Sequence, residues 1–460
     1  MVGVAPVCVR SEQRWPWLVA AGLTGVTVAV GLIQPRTLSA LAPILLIALL
    51  VAAHIANGNL FRWNSEPRAR PVLGPLPTAL LAFFTIAMLS AVWSPAPLVS
   101  LDKSLVGASL AGLVIAGSWH AARSRQSDTV HLIRAIWIGF LIGAAYLAVE
   151  ILTRQSVSVA VVNLLGFREG QINPAKFMRW QDGRLVAIDL AAMTRSMSAV
   201  VLLLPAALAA AVLTLRGTAR IAAVGALLIF ALIAIQGSDS QTAKLALITG
   251  FAAGIMALMA ARWTRRILAA VWVVACLAIV PLALGAHGYV SGTRSLDEVL
   301  PGASPSVRLE ILDAYAKKVL DRPMLGHGVN SSYVLGPKFD AAVDSDGDGN
   351  APKGGPKGGM RQHPHNVYMQ VWFELGAIGA LAFMACGLAI LGAIGRLPDR
   401  VQPFACATFA SVATVLAPSY GMWQYWFMSA IALSAFATTL VVTAMSSIDE
   451  RDLSSSPDPS

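Results

Sequence analysis

The chain has 460 residues, 56% of them apolar and only 13% charged, with a formal net charge of +10. Soluble domains carry about 25% charged residues, so a soluble globular protein is excluded; apolar runs of roughly 17–25 residues, long enough to cross ~30 Å of hydrocarbon, take the place of the missing charge. The positive balance sits mostly in short connections between those runs and gives no argument for nucleic-acid binding.

Taken in chain order, the runs predict twelve spans near 17–33, 38–57, 78–94, 104–120, 132–152, 190–214, 219–236, 242–260, 267–287, 366–393, 401–417 and 420–445. The expected fold class is therefore an all-α polytopic membrane protein of about twelve helices, with a large loop between spans 9 and 10. One set of short connections carries fourteen arginines, and the alternate set only Arg36 and Lys103. The positive-inside rule then places both termini in the cytoplasm and the long loops 153–189 and 288–364 on the opposite side. The first run follows Arg10 and Arg14, as a secretory signal would. The Ala40-Leu41-Ala42 stretch is followed directly by Pro43 and further spans, so an uncleaved anchor is expected. Cys8 precedes span 1, while Cys276, Cys386 and Cys406 lie in spans, which excludes a disulfide framework in the outer loops. No internal repeat of the kind that builds many transporters is visible.

Within the second long loop, 306–321 reads as an amphipathic helix after Pro305. Leu312, Tyr315 and Val319 share one face, and Glu310, Asp313, Lys317 and Asp321 the other. Arg308 falls on the apolar face, so it is directed at protein, lipid or a ligand. The stretch "DRPMLGHG" (321–328) ends the helix, and 337–360 is rich in Gly, Pro and Asp. Asp344, Asp346, Asp348 and Gly349 match the first half of a calcium loop, but Gly355 stands where the bidentate Glu is required. An acidic loop without metal is expected there, and no cofactor motif occurs elsewhere.

The stretch "RQHPHNVYMQVWFELGAIG" (361–379) places two histidines at the mouth of span 10. Pro364 suits a first helical turn, so His365 is expected at the outer start of the helix, where partial positive charge favours an anion. Counted from His365, Met369, Trp372, Gly376 and Gly379 share a face, with the glycines allowing a neighbouring helix to approach. Glu374, on the far side and deeper, is expected to pair with a cation or polar group inside the bundle. Lys244 opens span 8 and Arg195 sits a turn inside span 6. Each of these cations alone also fits a snorkelling anchor, as His363 and His365 alone fit a wet interface. Together with Arg308 they point to a site for a membrane-borne phosphate or diphosphate.

"RLEILDAYAKKVLDRPMLGHG" (308–328) followed by "HPHNVYMQVWFELGAIG" (363–379) resembles the O-antigen ligase and O-antigen polymerase superfamily. Its mark is a His and an Asn, nine residues, then Gly-x-x-Gly, matched here by His365, Asn366, Gly376 and Gly379. The resemblance covers about 190–395 and divides the chain into 1–189, 190–395 and 396–460. It implies a GT-C-like, metal-free, inverting glycosyltransferase of the bacterial inner membrane with its active site in the periplasm. The implied donor is an undecaprenyl-diphosphate-linked glycan and the implied acceptor the lipid A-core of lipopolysaccharide. Relatives use the same chemistry as polymerases or, more distantly, as protein oligosaccharyltransferases; a glycan transporter is the reading from a different class. By position His365 matches the family histidine and Arg308 the family arginine. Lys244 stands where the family has arginine, keeping the charge but losing bidentate geometry. Arg195, Asn366 and His363 are expected to contact substrate. His365 is either the general base or an imidazolium on the diphosphate, and the residues leave both open.

Overall fold

In a computed structural model of the protein, residues 15–57, 74–123, 126–171, 177–290, 305–336, 363–418 and 420–454 are described. Their helices are α1 (Trp15–Ile33), α2 (Leu38–Asn57), α3 (Leu76–Leu89), α4 (Pro97–Arg123), α5 (Gln126–Leu152), α6 (Ser156–Leu164), α7 (Thr194–Thr214) and α8 (Gly217–Gln236). There follow α9 (Gln241–Val290), α10 (Pro305–Val319), α11 (Val367–Ile394), α12 (Gln402–Leu416) and α13 (Tyr425–Ser454). Among the described residues nine helices are long and apolar enough to cross a membrane, and the shorter apolar helices at Leu76–Val92 and Gln402–Leu416 lie at two further expected spans. The chain is a mostly helical, multi-pass membrane protein. The calcium-like stretch at 344–349 lies outside the described residues.

α7 is the centre of the bundle. Its run from Ser196 to Ala211 is almost wholly buried, and it touches α1, α5, α8, α9, α12 and α13. A helix apolar all round is stable only when neighbours or lipid cover every face, and the Ala-rich composition of α7 lets those neighbours close in. Large apolar side chains such as Leu258 and Met259 of α9 point outward instead.

A small antiparallel hairpin accompanies the helices: β1 (Met178–Gln181) and β2 (Arg184–Ile188) pair in the 153–189 loop, turning at Asp182 and Gly183, both with positive φ. α9 is kinked at Ala260 (φ −154°, ψ 66°), the residue at which the sequence ends span 8. Two expectations are corrected. The last helix begins at Tyr425, not at 420, since Pro418 and Gly421 break the apolar run. Asp313 of α10 is buried and paired with Lys317 at 2.7 Å, although the helical period assigns it to the solvated face. α10 packs on α9 and α11 through Ile311, Tyr315 and Val319, with Tyr315 edge-on to Phe373 at 4.9 Å.

Gly376 does not serve a helix–helix contact. It adopts φ 63°, ψ −163° and breaks α11, and the 323–328 segment fills the break. In an unbroken helix Ala377 and Ile378 would donate to Phe373 and Glu374. Here Ala377 and Ile378 donate to the carbonyls of Pro323 (2.8 Å) and Met324 (3.3 Å), while His327 and Gly328 donate to those of Phe373 (3.0 Å) and Glu374 (2.7 Å). Both lost rungs are thus replaced by bonds to the inserted segment. The approach is so close that a Cβ on Gly326 would lie 2.4 Å from the Glu374 carbonyl carbon, and one on Gly376 2.4 Å from Met324.

Gly326→Ala is therefore expected to lower the melting temperature of the purified protein far more than Gly166→Ala. Both glycines have positive φ, but nothing lies within 4 Å of a Cβ at Gly166, so that change should cost only the ~1–2 kcal/mol of left-handed backbone. Equal melting temperatures for the two variants would contradict the insertion.

Candidate functional site

The site starts at the cap of α11. Asn366 is the N-cap, its side chain accepting from the Met369 amide at 2.9 Å, as Asn does when it satisfies an otherwise unpaired helical N–H. His365 thus stands before the helix rather than in its first turn, with left-handed φ of 51°, so the helical face counted from it does not exist. Its amide donates to Nδ1 of His363 at 3.1 Å, and the two rings lie 4.1 Å apart. Burial, and secondarily the neighbouring His365, push His363 down to about 3. It is a neutral imidazole whose Nδ1 accepts, which leaves the proton on Nε2. Tyr333 lies beside it, ring centroids 5.9 Å apart.

The segment 417–424, between α12 and α13, gathers the cations. Arg308 donates from Nη1 to the Pro418 carbonyl at 2.7 Å, which is why it occupies the apolar face of α10. Burial lowers the pKa of its guanidinium. Tyr420 lies within the field of both Arg308 and Arg195; burial raises its hydroxyl pKa and the two charges oppose that rise. Ser198 donates to the Tyr420 hydroxyl at 3.4 Å. Arg195, the second residue of α7, stands 5.9 Å above the Trp426 ring, and among the described residues its buried Nε has no hydrogen-bond partner. Trp426 donates to Gln424 Oε1 at 2.8 Å, and Gln424 donates to the Tyr333 hydroxyl at 3.3 Å. Contacts therefore run unbroken from Arg195 through Trp426, Gln424 and Tyr333 to His363 and His365.

Of the residues singled out from sequence, the structure brings Arg308, Arg195, His363, His365 and Asn366 to one end of the bundle. Lys244 lies in the first turn of α9, and among the described residues no ion pair or side-chain hydrogen bond joins it to the others. Tyr333, Tyr420, Gln424 and Trp426 were not foreseen. Their signal is "APSYGMWQYW" (417–426), where Pro and Gly interrupt an apolar run amid clustered aromatic and amide side chains.

Glu374 holds these parts in register. It is fully buried and pairs with four neutral donors rather than a cation. Oε2 accepts from the Asn330 amide (2.8 Å) and Trp423 Nε1 (2.5 Å), and Oε1 from Ser332 (2.6 Å) and Gln370 (3.0 Å). Gln370 in turn accepts from the Met422 amide at 2.8 Å. On the other side Val329 is clamped by Ser90 (3.0 Å) and Ser100 (2.6 Å).

Residues 226–384 match the family model described as O-antigen ligase. Over that segment the chain is similar to the O-antigen ligase superfamily. The match includes Lys244, Arg308, His365, Glu374 and Gly376, and it excludes Arg195 and the 417–426 segment. The chain is also similar to proteins named "Putative polysaccharide ligase". It is 29% identical over 139 residues to one from Rickettsia conorii (30% of this chain, 32% of that protein). Over 129 residues it is 30% identical to one from Rickettsia bellii (27% and 29%). Over 154 residues it is 29% identical to one from Rickettsia prowazekii (32% and 36%). The chain spans about a third of the length of the curated relatives it matches.

Two predictions follow from the geometry. Glu374→Gln keeps the volume but turns one acceptor into a donor facing donors. It should cost at least ~2 kcal/mol, read as a lower melting temperature, whereas an unchanged one would mean the carboxylate is not the anchor. For His363 the folded pKa lies below the ordinary value of about 6.5, so the unfolded chain binds the extra proton first. The neutral ring supports stability above pH ~6.5, and that support is lost as pH falls from there toward 3. His363→Gln should therefore flatten the decline of melting temperature between pH 6.5 and 4, measured against wild type in the same buffers.

Proposed function

We propose that this protein is an O-antigen-ligase-type glycosyltransferase that moves a preassembled glycan from undecaprenyl diphosphate to a sugar hydroxyl of the lipid A-core. The observation that carries the reading is the convergence on residues 417–426 of two arginines from separate helices with the histidine pair at the α11 cap. The acceptor oxygen attacks the anomeric carbon, the bond to the diphosphate breaks with inversion, and His365 accepts the hydroxyl proton. General-base help of this kind contributes typically 10²–10⁴-fold. Arg308 and Arg195 stabilise the departing diphosphate, and fixed charges aimed at a developing anion in a poorly hydrated site supply several kcal/mol. His363, neutral and bonded to the His365 amide, positions the base. Asn366 holds the helix cap at the edge of the same site. Lys244 acts as a point charge at the approach to it. No metal enters this chemistry.

In this reading the site faces the periplasm, both termini lie in the cytoplasm, and the bilayer is the bacterial inner membrane. The 190–395 region carries most of the machinery, 1–189 supports it, and 396–460 completes it through Tyr420, Gln424 and Trp426.

The test is transfer from purified carrier-linked glycan to lipid A-core in nanodiscs, at matched protein levels and with EDTA present. His365→Ala should lose at least 10²-fold, and Arg308→Ala about ten- to a hundredfold. Arg308→Lys should fare worse than Lys244→Arg, because a planar guanidinium grips two phosphate oxygens and ammonium does not. Wild-type rates in His365→Ala would remove the catalytic role, and a requirement for added Ca²⁺ or Mg²⁺ would remove the metal-free mechanism. A deletion strain separates the acceptors: loss of a ligase leaves bare core and long chains on the carrier, while loss of a polymerase leaves cores capped with one unit.

A further inference from the structure

The turn between α1 and α2 brings another cation to this end of the bundle. Residues Pro35–Thr37 form a single 3-10 turn, held by the Thr37 hydroxyl on the Gln34 carbonyl (2.7 Å) and the Ser39 hydroxyl on the Arg36 carbonyl (2.7 Å). It packs against α7 and α13. Ser196 donates to the Ile33 carbonyl at 3.1 Å, which ties the start of α7, and Arg195 with it, to the approach of this turn. Arg36 is exposed at the turn and lies within the field of Arg195.

Two like charges are thus held near each other by rigid elements. Among the described residues neither Arg36 nor Arg195 has an acidic partner, and the buried Nε of Arg195 has no hydrogen-bond acceptor. Lys103, also near the start of α13, differs. It lies 3.2 Å above the Tyr425 ring, beside Asp102, which accepts from the Tyr425 hydroxyl. A pair of arginines without an anion is repulsive and poorly satisfied; an oxyanion between them removes the repulsion and supplies acceptors for both guanidinium groups. The bland alternative is that Arg36 only touches bulk lipid headgroups.

We propose that Arg36 and Arg195 together form a phosphate subsite, Arg36 being a binding residue for a phosphate carried by a substrate lipid. The inference rests on the glycosyltransferase reading for the identity of that lipid, but not for the presence of the subsite. The phosphate comes either from the diphosphate of the donor or from a phosphorylated core of the acceptor, and the chemistry of recognition is the same.

The test uses the full-length protein in phosphatidylcholine nanodiscs and measures binding of undecaprenyl diphosphate and, separately, of lipid A-core. Arg36→Gln is expected to weaken one of them about ten- to a hundredfold, the size of a lost charge-assisted contact, and Arg36→Lys to weaken it less, because ammonium keeps the charge but not the two-pronged grip. Weaker binding of undecaprenyl diphosphate assigns the phosphate to the donor; weaker binding of lipid A-core assigns it to the acceptor. Binding of both within twofold of wild type in Arg36→Gln overturns the proposal. So does competition by phosphatidylglycerol as effective as unlabelled substrate lipid, which would make Arg36 a general headgroup anchor. Melting temperatures check that the variants are folded, which an exposed side chain in a pinned turn leads us to expect. Wild-type protein that binds these lipids but transfers no glycan would remove the transferase reading and leave the subsite standing.

Discussion

The Glu374 carboxylate, fully buried in α11, has to find its donors inside the protein, because a carboxyl left unpaired in an apolar interior costs several kcal/mol. It takes them from Asn330 and Ser332 on the segment after α10, from Gln370 one turn back on its own helix, and from Trp423 before α13. Three pieces of chain far apart in sequence are therefore held against one side chain. Two of them carry site residues within a few positions of the contact: Tyr333 follows Ser332, and Tyr420 and Gln424 flank Trp423. The place where an acid meets four donors is thus also the place where the walls of the site acquire their spacing.

The break in α11 belongs to the same arrangement. Inside a bilayer an interrupted helix survives only if its released backbone groups find partners in protein, and the 323–328 segment supplies one for each of the four groups released. That insertion brings Asn330 and Ser332 to the carboxylate. It also explains why the sequence reads Gly-x-x-Gly after nine residues. Gly376 takes up the positive φ, and Gly379, just past the break, is so close that a Cβ there would lie 2.1 Å from the Leu375 Cβ. Both glycines serve the break itself rather than a partner helix.

Much of this was legible in the chain. Apolar runs marked the helices because their period and length express burial directly, and a charged residue on the apolar face of 306–321 marked Arg308. The His-Asn pair before span 10 marked the cap, although Pro364 suggested that the helix begins earlier than Val367; Asn366 wins as cap because its side chain reaches the Met369 amide. What could not be read is non-local. Asp313 lies on the polar face by periodicity and is buried only because α10 is packed from more than one side. Three of the four partners of Glu374 lie 40 or more residues away, so sequence indicated a need for polar company without naming it. The 417–424 segment was hidden inside an apolar run, with Pro418 and Gly421 as its only local signals. The prominence of Lys244 came from its charge and its place at a helix start, neither of which specifies a contact.

The assembled end of the bundle separates two electrostatic tasks. His363 is kept neutral by burial, so the imidazole pair adds no fixed charge from that residue to a site that already contains Arg308 and Arg195 near Tyr420. Those arginines come from different helices, α10 and α7, and are anchored by a backbone carbonyl and an aromatic face. Neither anchor is a carboxylate that would neutralise them. The cost of gathering cations that have no acidic partner among the described residues is met during folding, by the packing of α7 and the splice that seats α10 against α11. In the glycosyltransferase reading, an arriving diphosphate then encounters charges that need little rearrangement, the condition under which electrostatic stabilisation of a departing anion is strongest. A carboxylate partner for either arginine would make the free protein more stable and the site weaker toward phosphate. In the glycosyltransferase reading, the unsatisfied Nε of Arg195 is therefore a property that the reaction uses.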